Sequence, residues 1–179
     1  MGFLNRFRSP GKKPASTGQT RPADAYLGLR DRLLQTAPGD VGISPTADAP
    51  QVWGVLLEMA RGDATVTVVA LADGTTSLYT STGGGVLGGG AHARIAAASK
   101  ALVRLADAHL AAFPAVDAVS LPDAGRSALV VLTYAGPRRV EEADGVLSGD
   151  RGPVSAVYAA AQNVITELRL QEESRQRAQ

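Results

Sequence analysis

Residues 64–82, ATVTVVALADGTTSLYTST, constrain the fold of this chain more than any other stretch. Two runs rich in β-branched residues flank Asp73-Gly74, a dipeptide favoured in two-residue hairpin turns of type I′. The expected pairing sets Val69 opposite Leu78 and Val68 opposite Tyr79, with register held by packing as well as by the turn. Just before it, QVWGVLLEMA (51–60) alternates Trp53, Val55, Leu57 and Met59 with Val52, Gly54, Leu56 and Glu58. Both faces are largely apolar, as expected of a strand in the middle of a sheet.

Helical spacing governs three other segments. In PADAYLGLRDRLLQT (22–36), Tyr26, Leu29 and Leu33 share a face with Leu34 beside it, and Pro22 suits a first helical turn. AHARIAAASKALVRLADAHLAAF (91–113) repeats Ile95, Leu102, Leu105 and Val103, Ala106, Leu110, Phe113, with enough alanine for a close approach to a sheet. The last helix starts at Pro153, presents Val157, Ala161, Val164 and Leu168 on one face, and turns polar beyond Leu170, where fraying is expected. Between the second and third helices, SALVVLTYA reads as a strand, Gly136-Pro137 as a turn, and Arg138 to Glu142 as a shorter strand ending at Asp144-Gly145.

These elements predict an α+β fold in the order α-β-β-β-α-β-β-α, a five-stranded antiparallel sheet with helices packed on it. Residues 1–21 form a basic tail, 22–171 a single domain and 172–179 a polar C-terminal end. With 45% hydrophobic but only 4% aromatic residues, the core must be built from aliphatic side chains. The order of elements resembles that of type III secretion chaperones and YbjN-like domains, small dimeric binding proteins without catalytic residues. VALADGTTSLYTSTGGGVLGGG, together with the MGF start, resembles a bacterial family with which no activity is associated. The first resemblance implies a dimeric binding module, and the second implies no function.

The glycine-rich stretch STGGGVLGGGAH (81–92) is the most conspicuous candidate site. Glycine loops that precede a helix expose backbone N–H groups to phosphate. Here Gly83, Gly84, Gly85, Val86, Leu87, Gly88, Gly89 and Gly90 precede a helix that carries His92 and Arg94, which makes a phosphate or nucleotide site one reading. The Gly-Lys-Ser/Thr pattern and the parallel βαβ setting of nucleotide loops are both missing. A second reading is a structural turn, and a third is a flexible tip that docks Val86 and Leu87 onto a partner.

Other chemistry has little to work with. No cysteine is present, and His92 and His109 stand about 260° apart around one helix at about 100° per residue, so they cannot share a metal. Ser81 and Thr82 lie near His92 in sequence without the setting of a nucleophile elbow. Glu141, Glu142 and Asp144 read as solvated charge that guards a sheet edge beside Arg138 and Arg139. The expectation is no catalytic site, no metal and no cofactor.

Charge is divided unevenly. Arg6, Arg8, Lys12, Lys13 and Arg21 stand in the first 23 residues without an acid, leaving 13 bases against 17 acids in the remainder. A mildly acidic body argues against nucleic-acid binding. Within the tail, Phe3, Leu4 and Phe7 form one apolar face at helical spacing with Arg6 and Arg8 on its flank, a short docking peptide for a groove or for a membrane interface, unless the tail folds back onto the domain or is inert. At a membrane interface the bases would meet anionic lipid at about 1 kcal/mol each. The absence of an apolar run of about 18 residues predicts a cytoplasmic protein, with the tail at the inner face of the membrane as one location. The leading expectation is a non-enzymatic protein-binding or chaperone-like module, homodimeric, with an N-terminal docking peptide.

Overall fold

The computed structural model describes residues 22–149 and 151–178. Helix α1 (Pro22–Gln35) is followed by strands β1 (Val52–Arg61), β2 (Ala64–Leu71), β3 (Thr76–Thr80) and β4 (Gly85–Val86). Then come α2 (Ala93–Ala108), β5 (Arg126–Thr133), β6 (Gly136–Ala143), α3 (Asp144–Gly149) and α4 (Pro153–Arg177). The fold is α+β with an antiparallel sheet in the order β4-β3-β2-β1-β5-β6, so β1 is central as its apolar faces require. Six strands replace the five expected, because the glycine-rich segment itself contributes β4.

Two cores form, one on each face of the sheet. Val55, Leu57, Val68, Ala70, Leu129 and Val131 face α2 and α4, which bring Ile95, Leu102, Ala106, Val157, Ala161 and Val164. The opposite face, with Trp53, Leu56, Val69, Leu71, Val130 and Leu132, is covered by α1 through Tyr26. On α1 the buried positions are Tyr26 and Arg30, whereas Leu29 is exposed, so the apolar face expected through Tyr26, Leu29 and Leu33 is rotated toward a charged residue.

Two registers differ from the sequence pattern for identifiable reasons. At the hairpin, Val68 pairs with Leu78 and Thr67 with Tyr79, one position from the expected pairing. The Gly74 N–H donates to Leu71 O and the Leu71 N–H to Thr75 O, which closes a three-residue loop. The Asp73 carboxylate accepts the Thr75 N–H and hydroxyl, both at 2.8 Å. Among the described residues only glycines have positive φ, with Gly74 at +96°, whereas a type I′ turn requires positive φ at both central residues. In β1 a bulge between Val52 and Gly54 turns Trp53 onto the face of Leu56 and Glu58, against strict alternation.

The β5–β6 turn consists of Tyr134 and Ala135, not Gly136-Pro137, and β6 runs on to Ala143. Asp144-Gly145 opens α3 instead of a turn. At the C-terminus, α4 continues as helix to Arg177 through the polar stretch read as frayed, with ion pairs Arg169–Glu173, Arg175–Glu172 and Arg177–Glu173 along it.

Candidate functional site

The glycine loop is pinned to the sheet. A Cβ on Gly85, at φ +148°, would come within 2.2 Å of Leu78 O, and one on Gly90 within 2.3 Å of Gly74 O. Gly89 packs beneath Leu168. A side chain at Gly85 would push β4 off β3 and one at Gly90 would press on the Gly74-Thr75 backbone, so these two glycines let backbone lie directly on backbone. Between the pinned points, Leu87 stands 67% exposed and Val86 half buried opposite Leu78. The loop is therefore a cover on the β3 edge with one apolar side chain held outward. Such short cover is one way a sheet edge is protected.

The phosphate reading loses donors in this arrangement. The Gly83 N–H donates to Thr80 O, the Ala91 N–H to Gly88 O and the His92 N–H to Gly89 O. Arg94 donates to Glu167 at 3.0 Å, and Glu167 lines the same 320 Å³ depression as His92 and Arg94, which sets a carboxylate where an anion would sit. His92 is the N-cap residue of α2 and makes no side-chain capping bond. Ser81 Oγ accepts the Thr65 N–H at 2.9 Å and so ties the end of β3 to β2.

Glu141 is more enclosed than an edge carboxylate should be, at 14% exposure. It accepts the Asp123 N–H at 3.0 Å and Arg126 Nε at 3.1 Å, and it also pairs with Arg139. Burial alone would raise its pKa, but the Asp123 and Arg139 hydrogen bonds outweigh it and hold the carboxyl below its ordinary value. Glu142 and Asp144 pair with Arg126 and Arg61 respectively. Among the described residues no three acidic or histidine side chains gather as metal ligands. The docking tail, Phe3, Leu4, Arg6, Phe7 and Arg8, lies outside the described residues.

Sequence reasoning missed a polar cluster inside the second core. Arg30 Nε and Nη2 donate to the two Glu58 oxygens at 2.6 and 3.0 Å, and Nη2 also reaches the carbonyls of Val119 and Ser120, each at 3.1 Å. Burial disfavours the Arg30 charge, yet the Glu58 hydrogen bonds and charge more than offset it and raise its pKa. Beside the pair, the Tyr26 and Thr67 hydroxyls lie 2.8 Å apart, and the Tyr26 ring meets Tyr79 edge-on at 5.6 Å. Tyr79 Oη is buried without a hydrogen-bond partner among the described residues, and burial pushes its pKa far up. A lone Glu in an apolar strand and an Arg at i+4 from Tyr26 on the helix face were the available signals.

Next to Arg30 the surface opens into a cleft of about 550 Å³ at the C-terminal end of α1. Its walls include Asp31, Leu34, Trp53, Asp117, Val119 and Leu132. No family model matches the chain, and no curated protein or solved structure gives a significant match. No helix among the described residues is long and apolar enough to cross a membrane.

Proposed function

We propose that the chain is a non-enzymatic protein-binding module that works as a homodimer, with the glycine loop as the contact between copies. The observation that carries this reading is Leu87, the most exposed large apolar side chain among the described residues, held out by a backbone pinned on both sides. A preorganised contact loses little conformational freedom on association, so a single exposed leucine contributes more there than on a floppy loop. Among the described residues β4 also pairs along one edge, as an end strand of the sheet. Two such edges brought together by a two-fold axis are self-complementary, which is why the partner is a second copy of this chain. Binding of phosphate or nucleotide by the loop is the less favoured alternative, since the Gly83, Ala91 and His92 amides and Arg94 already have partners within the chain.

Light scattering after size exclusion tests the proposal. The wild-type chain is expected at the mass of two copies and Leu87→Asp at the mass of one, with unchanged circular dichroism. A wild-type chain that stays monomeric over a wide concentration range would refute the homodimer.

A further inference from the structure

We infer that the cleft at the C-terminal end of α1 is the seat of the chain's own N-terminal segment, with Phe3, Leu4 and Phe7 against its apolar wall and Arg6 and Arg8 at its acidic rim. At about 550 Å³ the cleft lies within the usual range of binding pockets, about 300–1,000 Å³. Its wall combines Leu34, Trp53, Val119 and Leu132 with the carboxylates of Asp31 and Asp117. Asp31 is exposed and, among the described residues, has a long 3.9 Å contact to Arg30 Nη1, and Asp117 is exposed as well. Arg30 does not reverse this balance, because Glu58 neutralises it at 2.6 Å.

The cleft also opens at the C-terminal turn of α1, with Leu34, Gln35 and Thr36 on its wall, where the helix macrodipole adds about half a negative charge. The segment that fits must therefore be apolar and basic. Residues 3–8, FLNRFR, are both, and the first acid of the chain is Asp24.

Reach is sufficient. The segment joins α1 at its N-terminal end, and the 14 residues of α1 span about 21 Å at about 1.5 Å per residue. Residues 9–21 extend to about 43 Å at about 3.3 Å per residue, twice the distance needed to run back along α1. Tethering raises the effective concentration of so short a segment to about the millimolar range, which a weak contact requires.

The absence of cysteine makes the test clean. A nitroxide spin label on Asn5→Cys in the full-length chain is expected to broaden the amide signals of Asp31, Leu34, Thr36, Asp117 and Val119 selectively. Phe3→Ser with Phe7→Ser, or Asp31→Asn with Asp117→Asn, should abolish that broadening while the amide spectrum of the sheet stays unchanged. Uniform weak broadening, selective broadening on another face, or broadening unaffected by both pairs of substitutions would overturn the inference. So would a tail that leaves the cleft signals untouched and responds only to vesicles containing phosphatidylglycerol. Cleft broadening on isotopically enriched unlabelled chains mixed with labelled ones would place the segment on a neighbouring copy, which also overturns an intramolecular seat. Repeating the measurement in Leu87→Asp keeps the result independent of the homodimer.

Discussion

Arg30 and Glu58 face each other across the second core with two hydrogen bonds of 2.6 and 3.0 Å, at 4% and 0% exposure. The pair joins α1 to the central strand, and the two carbonyls that Arg30 also holds, Val119 and Ser120, bring in the segment before β5. Removing one partner leaves the other charged, buried and uncompensated. Arg30→Ala or Glu58→Ala is expected to cost about 3–5 kcal/mol, whereas Arg30→Met with Glu58→Leu should be near neutral. Urea unfolding of the three variants checks the non-additivity.

Two tyrosines in one cluster should respond to the same substitution with opposite signs. Tyr26→Phe strands the Thr67 hydroxyl and is expected to destabilise by about 1 kcal/mol, while Tyr79→Phe removes a buried hydroxyl without a partner and should be neutral or stabilise by up to about 1 kcal/mol. In the wild type, both pKa values are raised by burial, so the stability they contribute is present below pH 10 and declines as the pH rises above it. Denaturant midpoints at pH 8 and pH 11 measure both effects.

Gly85 and Gly84 provide a matched comparison on the loop. Gly84→Ala meets nothing within 4 Å and bears only the cost of a positive φ, about 1 kcal/mol. Gly85→Ala adds a 2.2 Å approach to Leu78 O and is expected to detach β4 from β3. Faster hydrogen exchange at the β3 edge in Gly85→Ala, and not in Gly84→Ala, is the expected result.

Glu141 should set part of the acid limb of stability. Its folded-state pKa is lowered, so its contribution is fully present above the ordinary value of 4.5 and is lost as the pH falls through the lowered one. Glu141→Gln is expected to be less stable at neutral pH and to show a flatter loss of stability below about pH 4.5. Thermal melts between pH 3 and pH 7 provide the comparison.

The strands and helices were legible because their signals are local. Asp73-Gly74 announced the hairpin, and the doubly apolar 52–60 run announced a central strand. Register was not legible, since the Asp73 side chain redirects the turn and a bulge rotates Trp53, and neither event alters the hydrophobic pattern. The polar cluster was hidden for another reason. Arg30 and Glu58 are 28 residues apart, and neither charge on its own element points to the other as its partner. The cleft was further from view, because its wall draws on residues 30–38, Trp53, 117–119 and 132–137, which only the folded chain brings together. The glycines were visible at once, and of the readings they allowed the structural turn is the one that matches the close backbone contact.

The central place of β1 bears on the order in which the chain is made. Its partners on the two sides are β2, which follows within two residues, and β5, which begins at Arg126. During synthesis β1 to β4 emerge from the ribosome before β5 does. For that interval the far edge of β1, with apolar side chains on both faces, has no neighbour, and such an edge is a template for pairing with other chains. Slow translation before β5 emerges therefore favours aggregation, and a delay once β5 has emerged and paired with β1 does not.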